Sequence, residues 1–160
     1  MKVLYFDCFS GISGDMALGA LIDLGVDITQ IRRELGKLDL SGYDITVEKK
    51  MQNGIAGTDV RVICGDDHEV RRLADIEHII ISSGLKQNVK DLSMKVFREI
   101  AEAESRVHDM PVEEVHFHET GAVDSIVDIV GTAICIDLLD IKRVFSSALH
   151  DGKGFINCRH

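Results

Sequence analysis

Val3-Leu4-Tyr5-Phe6-Asp7-Cys8-Phe9-Ser10-Gly11-Ile12-Ser13-Gly14-Asp15-Met16-Ala17-Leu18-Gly19-Ala20-Leu21-Ile22 reads as a strand, a glycine-bearing loop and a helix in immediate succession. Val3 to Phe6 is a short run with β-branched and aromatic members, the pattern of a buried strand. From Met16 to Leu24 the apolar residues recur at helical spacing, and Gly25 follows as a stop. A strand that feeds a helix through a polar loop sets an α/β class, and the rest of the chain is consistent with it. A second helix is expected over Ile28 to Leu38. Tyr43 to Lys49 and Ile55 to Ile63 alternate apolar and polar residues around Asn53-Gly54, a strong hairpin signal.

Farther along, Leu73 to Ile81 has helical spacing. In the next helix Val89, Leu92, Val96, Ile100, Ala103 and Val107 mark one face, with Glu99, Glu102 and Arg106 off it. Pro111 closes that helical region. Val115 to His118 reads as a short strand, Asp124 to Leu139 as a helix, Arg143 to Ser147 as a strand, and Gly154 to Cys158 as one arm of another. The expected fold is α/β: a mixed β-sheet with an antiparallel hairpin, packed against several helices. Residues 1–160 are expected to form a single domain, the N-terminal part of a longer or split protein.

The totals narrow the partners. A chain of 160 residues buries roughly two-thirds of its unfolded surface, enough for a true core. Its 27 acids against 18 bases give −9, which disfavours nucleic acid and anionic membranes and suits cations. Cys8, Cys64, Cys135 and Cys158 are far apart with no Cys-x-x-Cys, as in reduced thiols. The opening Met1-Lys2-Val3-Leu4-Tyr5-Phe6-Asp7 turns polar too soon for a signal peptide, and no apolar run spans a membrane. The cytoplasm is the expected location.

Two segments carry chemistry. Ser10, Gly11, Ser13 and Gly14, between a strand and a helix start, form a candidate phosphate seat of backbone N–H groups and helix dipole. The segment is neither a Walker loop nor a dinucleotide fingerprint. Asp7 and Asp15 bracket it as candidates for a second metal or a phosphate-linked cation; the competing reading has Ser13 or Asp15 capping the helix and Asp7 the turn. A phosphoaspartyl reading of Asp7 fails because Phe9 stands where the second acid belongs.

In the second segment, His116 and His118 share one face of a strand, with Phe117 opposite and Glu119 at the strand end. Asp124 and Asp128 follow, four apart on one side of a largely apolar helix, where an acid needs a partner. His116, His118, Glu119, Asp124 and Asp128 are therefore the candidate metal ligands, although Asp124 also suits an N-cap. Nitrogen and oxygen donors without thiolate fit Zn, Ni, Fe or Mn alike. His68, His78 and His108 lie on polar segments and need no role, Asp66-Asp67-His68 reads as a solvated turn, and Arg71-Arg72 as a solvated helix start rather than a phosphate contact.

Together the two segments resemble a known family. Asp7-Cys8-Phe9-Ser10-Gly11-Ile12-Ser13-Gly14-Asp15-Met16 resembles the opening of the LarC nickel-insertion proteins, and Val115 to Asp128 is similar to their second signature. The intervening Arg72-Leu73-Ala74-Asp75-Ile76 also matches, so the resemblance covers essentially the whole chain. It implies CTP-dependent insertion of nickel into a pyridinium bisthiocarboxylate mononucleotide, making the nickel-pincer cofactor of lactate racemase through carbon–nickel and sulfur–nickel bonds. The activity implied is that of a lyase, a cyclometallase. CTP, with Mn or Mg, is expected only with a C-terminal region of the same family, which becomes an expected partner; a homo-oligomer is left open. The chain departs from the family at Val70-Arg71-Arg72 and at Ala148-Leu149-His150-Asp151-Gly152. Two rivals stand beside this reading: a metal-dependent phosphate-ester hydrolase using a metal-bound water, and a non-catalytic metal-binding module that needs a partner chain.

Overall fold

The computed structural model describes residues 1–65, 70–117, 122–150 and 152. Strand β1 (Lys2–Phe6) leads to helix α1 (Gly14–Asp23) and helix α2 (Ile28–Leu35). The hairpin β2 (Tyr43–Gln52) and β3 (Ile55–Cys64) follows, then β4 (Arg71–Arg72), α3 (Leu73–Ser82) and α4 (Gln87–His108). A 3-10 turn (Val112–Glu114), β5 (His116–Phe117), α5 (Val123–Leu138) and β6 (Ile141–Ser146) complete the order. The class is α/β with both kinds of pairing: among the described residues β1 and β6 pair in parallel, while β2–β3 and β4–β5 are antiparallel, each a two-stranded sheet. Among the described residues, no helix is long and apolar enough to cross a membrane.

Each element follows from local chemistry. Asn53 and Gly54 both take positive φ, 51° and 81°, the two-residue turn whose twist matches the flanking strands. Asp27 caps α2 by accepting the Thr29 N–H at 2.8 Å. Helix α5 is central: Ile126, Val127, Val130, Ile134 and Cys135 are fully covered, and α1, α2 and α4 pack around it. Burial pushes the Cys135 thiol up to about 12, leaving it a protonated core residue. Helix α1 lies on β3 so closely that a Cβ at Gly19 would collide with the Thr58 carbonyl oxygen.

Four expectations are corrected. The first strand is not buried on both faces: Leu4 is buried, but Val3 and Tyr5 are exposed. Helix α2 stops at Leu35, not Leu38; Gly36 ends the helical run, although Leu38 still reaches the core. Arg71-Arg72 is a solvated helix start only at Arg72, the exposed N-cap of α3. Arg71 is buried in β4 opposite Phe117, and the Arg72 N–H donates to Asp75 at 2.7 Å as α3 begins.

The buried face of α4 runs through Val89, Ser93, Met94, Phe97 and Ala101, rotated about one residue from the expected stripe. The largest side chain sets the rotation: Phe97 meets Phe117 of β5 edge to face at 6.2 Å between ring centres. Val107, on the expected stripe, is 77 % exposed. Phe97→Ala should therefore lose about 3–5 kcal/mol of stability in urea unfolding, while Val107→Ala stays within about 0.5 kcal/mol.

Candidate functional site

The candidate site forms where α1 and α5 start. Ser13 holds the extended N-cap backbone of α1 (φ −132°, ψ 171°), yet its hydroxyl donates to Asp15 instead of capping the helix. Asp15 lies in the first turn and accepts the Met16 N–H at 2.8 Å. On α5 the N-cap position belongs to Ala122, so the capping reading of Asp124 is corrected. Asp124 sits in the first turn and accepts the Ser125 N–H at 2.7 Å. Asp128 is one turn farther on.

Gly14 is what lets these acids meet. A Cβ there would lie 2.6 Å from the Asp128 Cβ, so only glycine allows α1 to begin against this carboxylate. A Cβ at Gly131 would likewise fall 3.0 Å from Leu18 Cδ2. Gly14 meets Asp128 and Leu18 meets Gly131, so the helices run in the same direction and start at the same end. Asp15, Asp124 and Asp128 consequently line one cleft of about 410 Å³, with Val60, Arg61 and Val62 of β3 as its other wall. Arg61 in turn pairs with Asp59, Nε to Oδ2 at 2.9 Å.

Asp128 is the perturbed group. Burial first, then the charges of Asp15 and Asp124, push its carboxyl up to about 7 from an ordinary 3.8. Its Oδ1 is buried and accepts no hydrogen bond among the described residues. A half-buried carboxylate beside two others needs a proton or a cation. The positive ends of two helix dipoles offset part of the repulsion.

The remaining candidates are spread along the strand ends. His116 is half-buried in β5 opposite Arg72, and Phe117 on the other face is in the core. His116 is not among the residues lining the acidic cleft as described. His118, Glu119, His68, Asp151 and residues 154–158 lie outside the described residues. Asp7 is exposed just after β1, and Ser10 is exposed in the following loop. Gly11 takes φ +82°, and its N–H donates to the Cys8 carbonyl at 3.1 Å, closing the turn on itself. With that N–H and the Ser13 hydroxyl both engaged, the loop offers an anion fewer donors than its composition suggests. Among the described residues, no three His, Cys, Asp or Glu side chains form a ready metal-ligand set.

The spacing of Asp124 and Asp128 was legible as an i, i+4 pair. The union of that pair with Asp15 was not, nor was the β3 wall, because both depend on how α1 crosses α5. Gly14, a glycine beginning an otherwise apolar helix, is the one local signal of the close approach.

The family model for nickel insertion protein matches residues 4–160. A protein of Acetivibrio thermocellus named pyridinium-3,5-bisthiocarboxylic acid mononucleotide nickel insertion protein is 59% identical over 169 residues, covering 100% of this chain and 42% of the relative. Proteins of the same name from Desulfitobacterium hafniense and Clostridium kluyveri are 47% and 48% identical, again over 100% of this chain and over 40% and 43% of their own lengths. The chain thus spans less than half the length of these relatives. No solved structure matches it.

The Asp128 carboxyl titrates near 7 when folded and near 3.8 otherwise, so between those values the folded chain holds the proton more tightly. Stability in a chelator-containing buffer should fall as pH rises from about 4 to about 7, then level off. Asp128→Asn should flatten that slope and raise stability at pH 8 by on the order of 1–2 kcal/mol, water around the side chain screening the rest. Melting temperatures of both proteins at pH 5 and pH 8 check this; equal slopes would contradict it.

Proposed function

The chain belongs to the nickel insertion protein family, and from that premise we propose that it holds divalent nickel as a substrate for insertion into a pyridinium-3,5-bisthiocarboxylate mononucleotide. The observation that carries the reading is the buried, unsatisfied Oδ1 of Asp128 flanked by Asp15 and Asp124. A divalent cation removes the mutual repulsion of these groups and gives the orphaned oxygen a partner. His116, His118 and Glu119 are proposed to complete the ligand set with imidazole nitrogen and one further carboxylate; Asp124 and Asp128 bring the helix side.

Delivery follows from donor chemistry. An oxygen- and nitrogen-lined seat holds nickel with modest affinity, and the two thiocarboxylates of the substrate are softer donors that draw it away. The loop from Ser10 to Gly14, with Asp7 beside it, is proposed to face the substrate phosphate, positioning the thiocarboxylates near the cleft. The product is the nickel-pincer cofactor used by lactate racemase. Use of CTP with Mn or Mg, and completion of the lyase reaction, is assigned to the whole protein including its C-terminal part, acting in the cytoplasm. The net charge of −9 supports a cation rather than nucleic acid or a membrane as partner.

A second reading has a specific observation behind it. The chain spans 42% of its Acetivibrio relative, as suits a metal-binding module that works only with a partner chain. Calorimetry with Ni²⁺ at neutral pH should find one site in the wild type, weakened at least about tenfold in His116→Ala/His118→Ala and in Asp124→Asn/Asp128→Asn, with all proteins folded. Affinity should drop as pH falls, because both imidazole and carboxylate must shed protons to bind. Equal binding by all three proteins would overturn the assignment. Binding without insertion, restored by adding the remainder of the protein, would favour the partner-dependent module.

A further inference from the structure

The β1–β6 pair is an unfinished sheet. Parallel strands occur almost only in sheets covered on both faces, and two strands alone are marginal in water. Among the described residues β1 pairs with β6 and with no other strand. Leu4 and Phe6 point into the core, packed with helices on one side. In register across the pair, Tyr5 faces Phe145 and Val3 faces Arg143 on the opposite side. That outer side is open: Tyr5 is 60%, Phe145 50% and Val3 49% exposed. Two aromatic rings and a valine set side by side on a sheet make a contiguous apolar surface, which a lone folded unit rarely presents to water.

We propose that this outer face of β1–β6 is the docking surface for the part of the longer protein that this chain does not span, which covers Tyr5 and Phe145 and extends the parallel sheet. The inference rests on the family reading above, since the length of the relatives supplies the occupant: more than half of each lies outside the match. The location has a consequence for function. Asp7 follows directly from β1, and Cys8 accepts no detour: its N–H donates to Ser147 Oγ at 2.8 Å, tying the loop after β1 to the residue after β6. A unit seated on the sheet therefore sits beside the loop that leads to Ser13, Gly14 and the acidic cleft.

Hydroxyl-radical footprinting of the aromatic side chains tests the proposal without nickel, so its failure is separate from failure of the nickel site, which calorimetry reads. The 160-residue chain is compared with the same chain joined in frame to the remaining part of the Acetivibrio relative. Tyr5 and Phe145 should oxidise readily in the short chain and at least fivefold more slowly in the long one, while the exposed Met51 at the end of the β2–β3 hairpin serves as reference. In the short chain Tyr5→Glu/Phe145→Glu should leave the melting temperature unchanged within a few degrees. Should the fusion fail to fold, the full-length Acetivibrio relative footprinted at the aligned positions gives the same reading. Equal oxidation in short and long chains would overturn the proposal. So would protection in the short chain that grows with its concentration, which would assign the face to a second copy.

Discussion

The close, same-direction packing of α1 on α5 is the constraint on which the site depends. It requires Gly14 where Asp128 stands, brings Leu18 close against Gly131, and places both helix starts at one end of the molecule. From that single crossing come the meeting of Asp15 with Asp124 and Asp128, the raised carboxyl of Asp128 and the burial of its Oδ1. The hairpin contributes by the same route. Because Gly19 lets α1 lie on the backbone of β3, residues Val60 to Val62 become the opposite wall of the cleft.

Three carboxylates around one cleft are an energetic liability for the chain alone. Like charges at short range raise a carboxyl, and burial raises it further, so the site is stable only when protonated, placed at positive helix ends, or neutralised by a cation. Structural ion pairs elsewhere in the molecule contrast with it. Lys86 meets Asp137 at 2.7 Å and Lys50 meets Asp59 at 2.5 Å, each acid held low by its lysine. The Asp128 carboxyl is pushed up instead, by burial first and then by the charges of Asp15 and Asp124, although Arg61 lines the same cleft.

Much of the fold was legible because local patterns decide it. Asn53-Gly54 fixed the hairpin through positive φ, Gly25 ended α1, and the long apolar run after Asp124 marked a buried helix. The errors fell where tertiary packing outranks pattern. The stripe on α4 was off by about a residue because Phe97, not Val96, meets Phe117; Arg71 was read as solvated although a two-residue strand buries it. At the site, spacing revealed Asp124 with Asp128 but grouped Asp15 with Asp7, since adjacency in sequence says nothing of which helix faces which. Asp124 and Asp15 both suited capping by type, yet Ala122 and Ser13 hold those positions, which leaves both acids in the first turn, lining one cleft.

The most direct test of the acidic cleft as the nickel seat is to locate the ion. Substoichiometric paramagnetic Ni²⁺ added to the isotope-labelled chain at neutral pH should first shift and broaden the amide signals of Asp15, Val60, Arg61, Val62, Asp124 and Asp128. Signals at the end of α3 around Ser82 should stay unchanged. Effects centred instead on His78 and His108, with the cleft signals unmoved, would contradict the account.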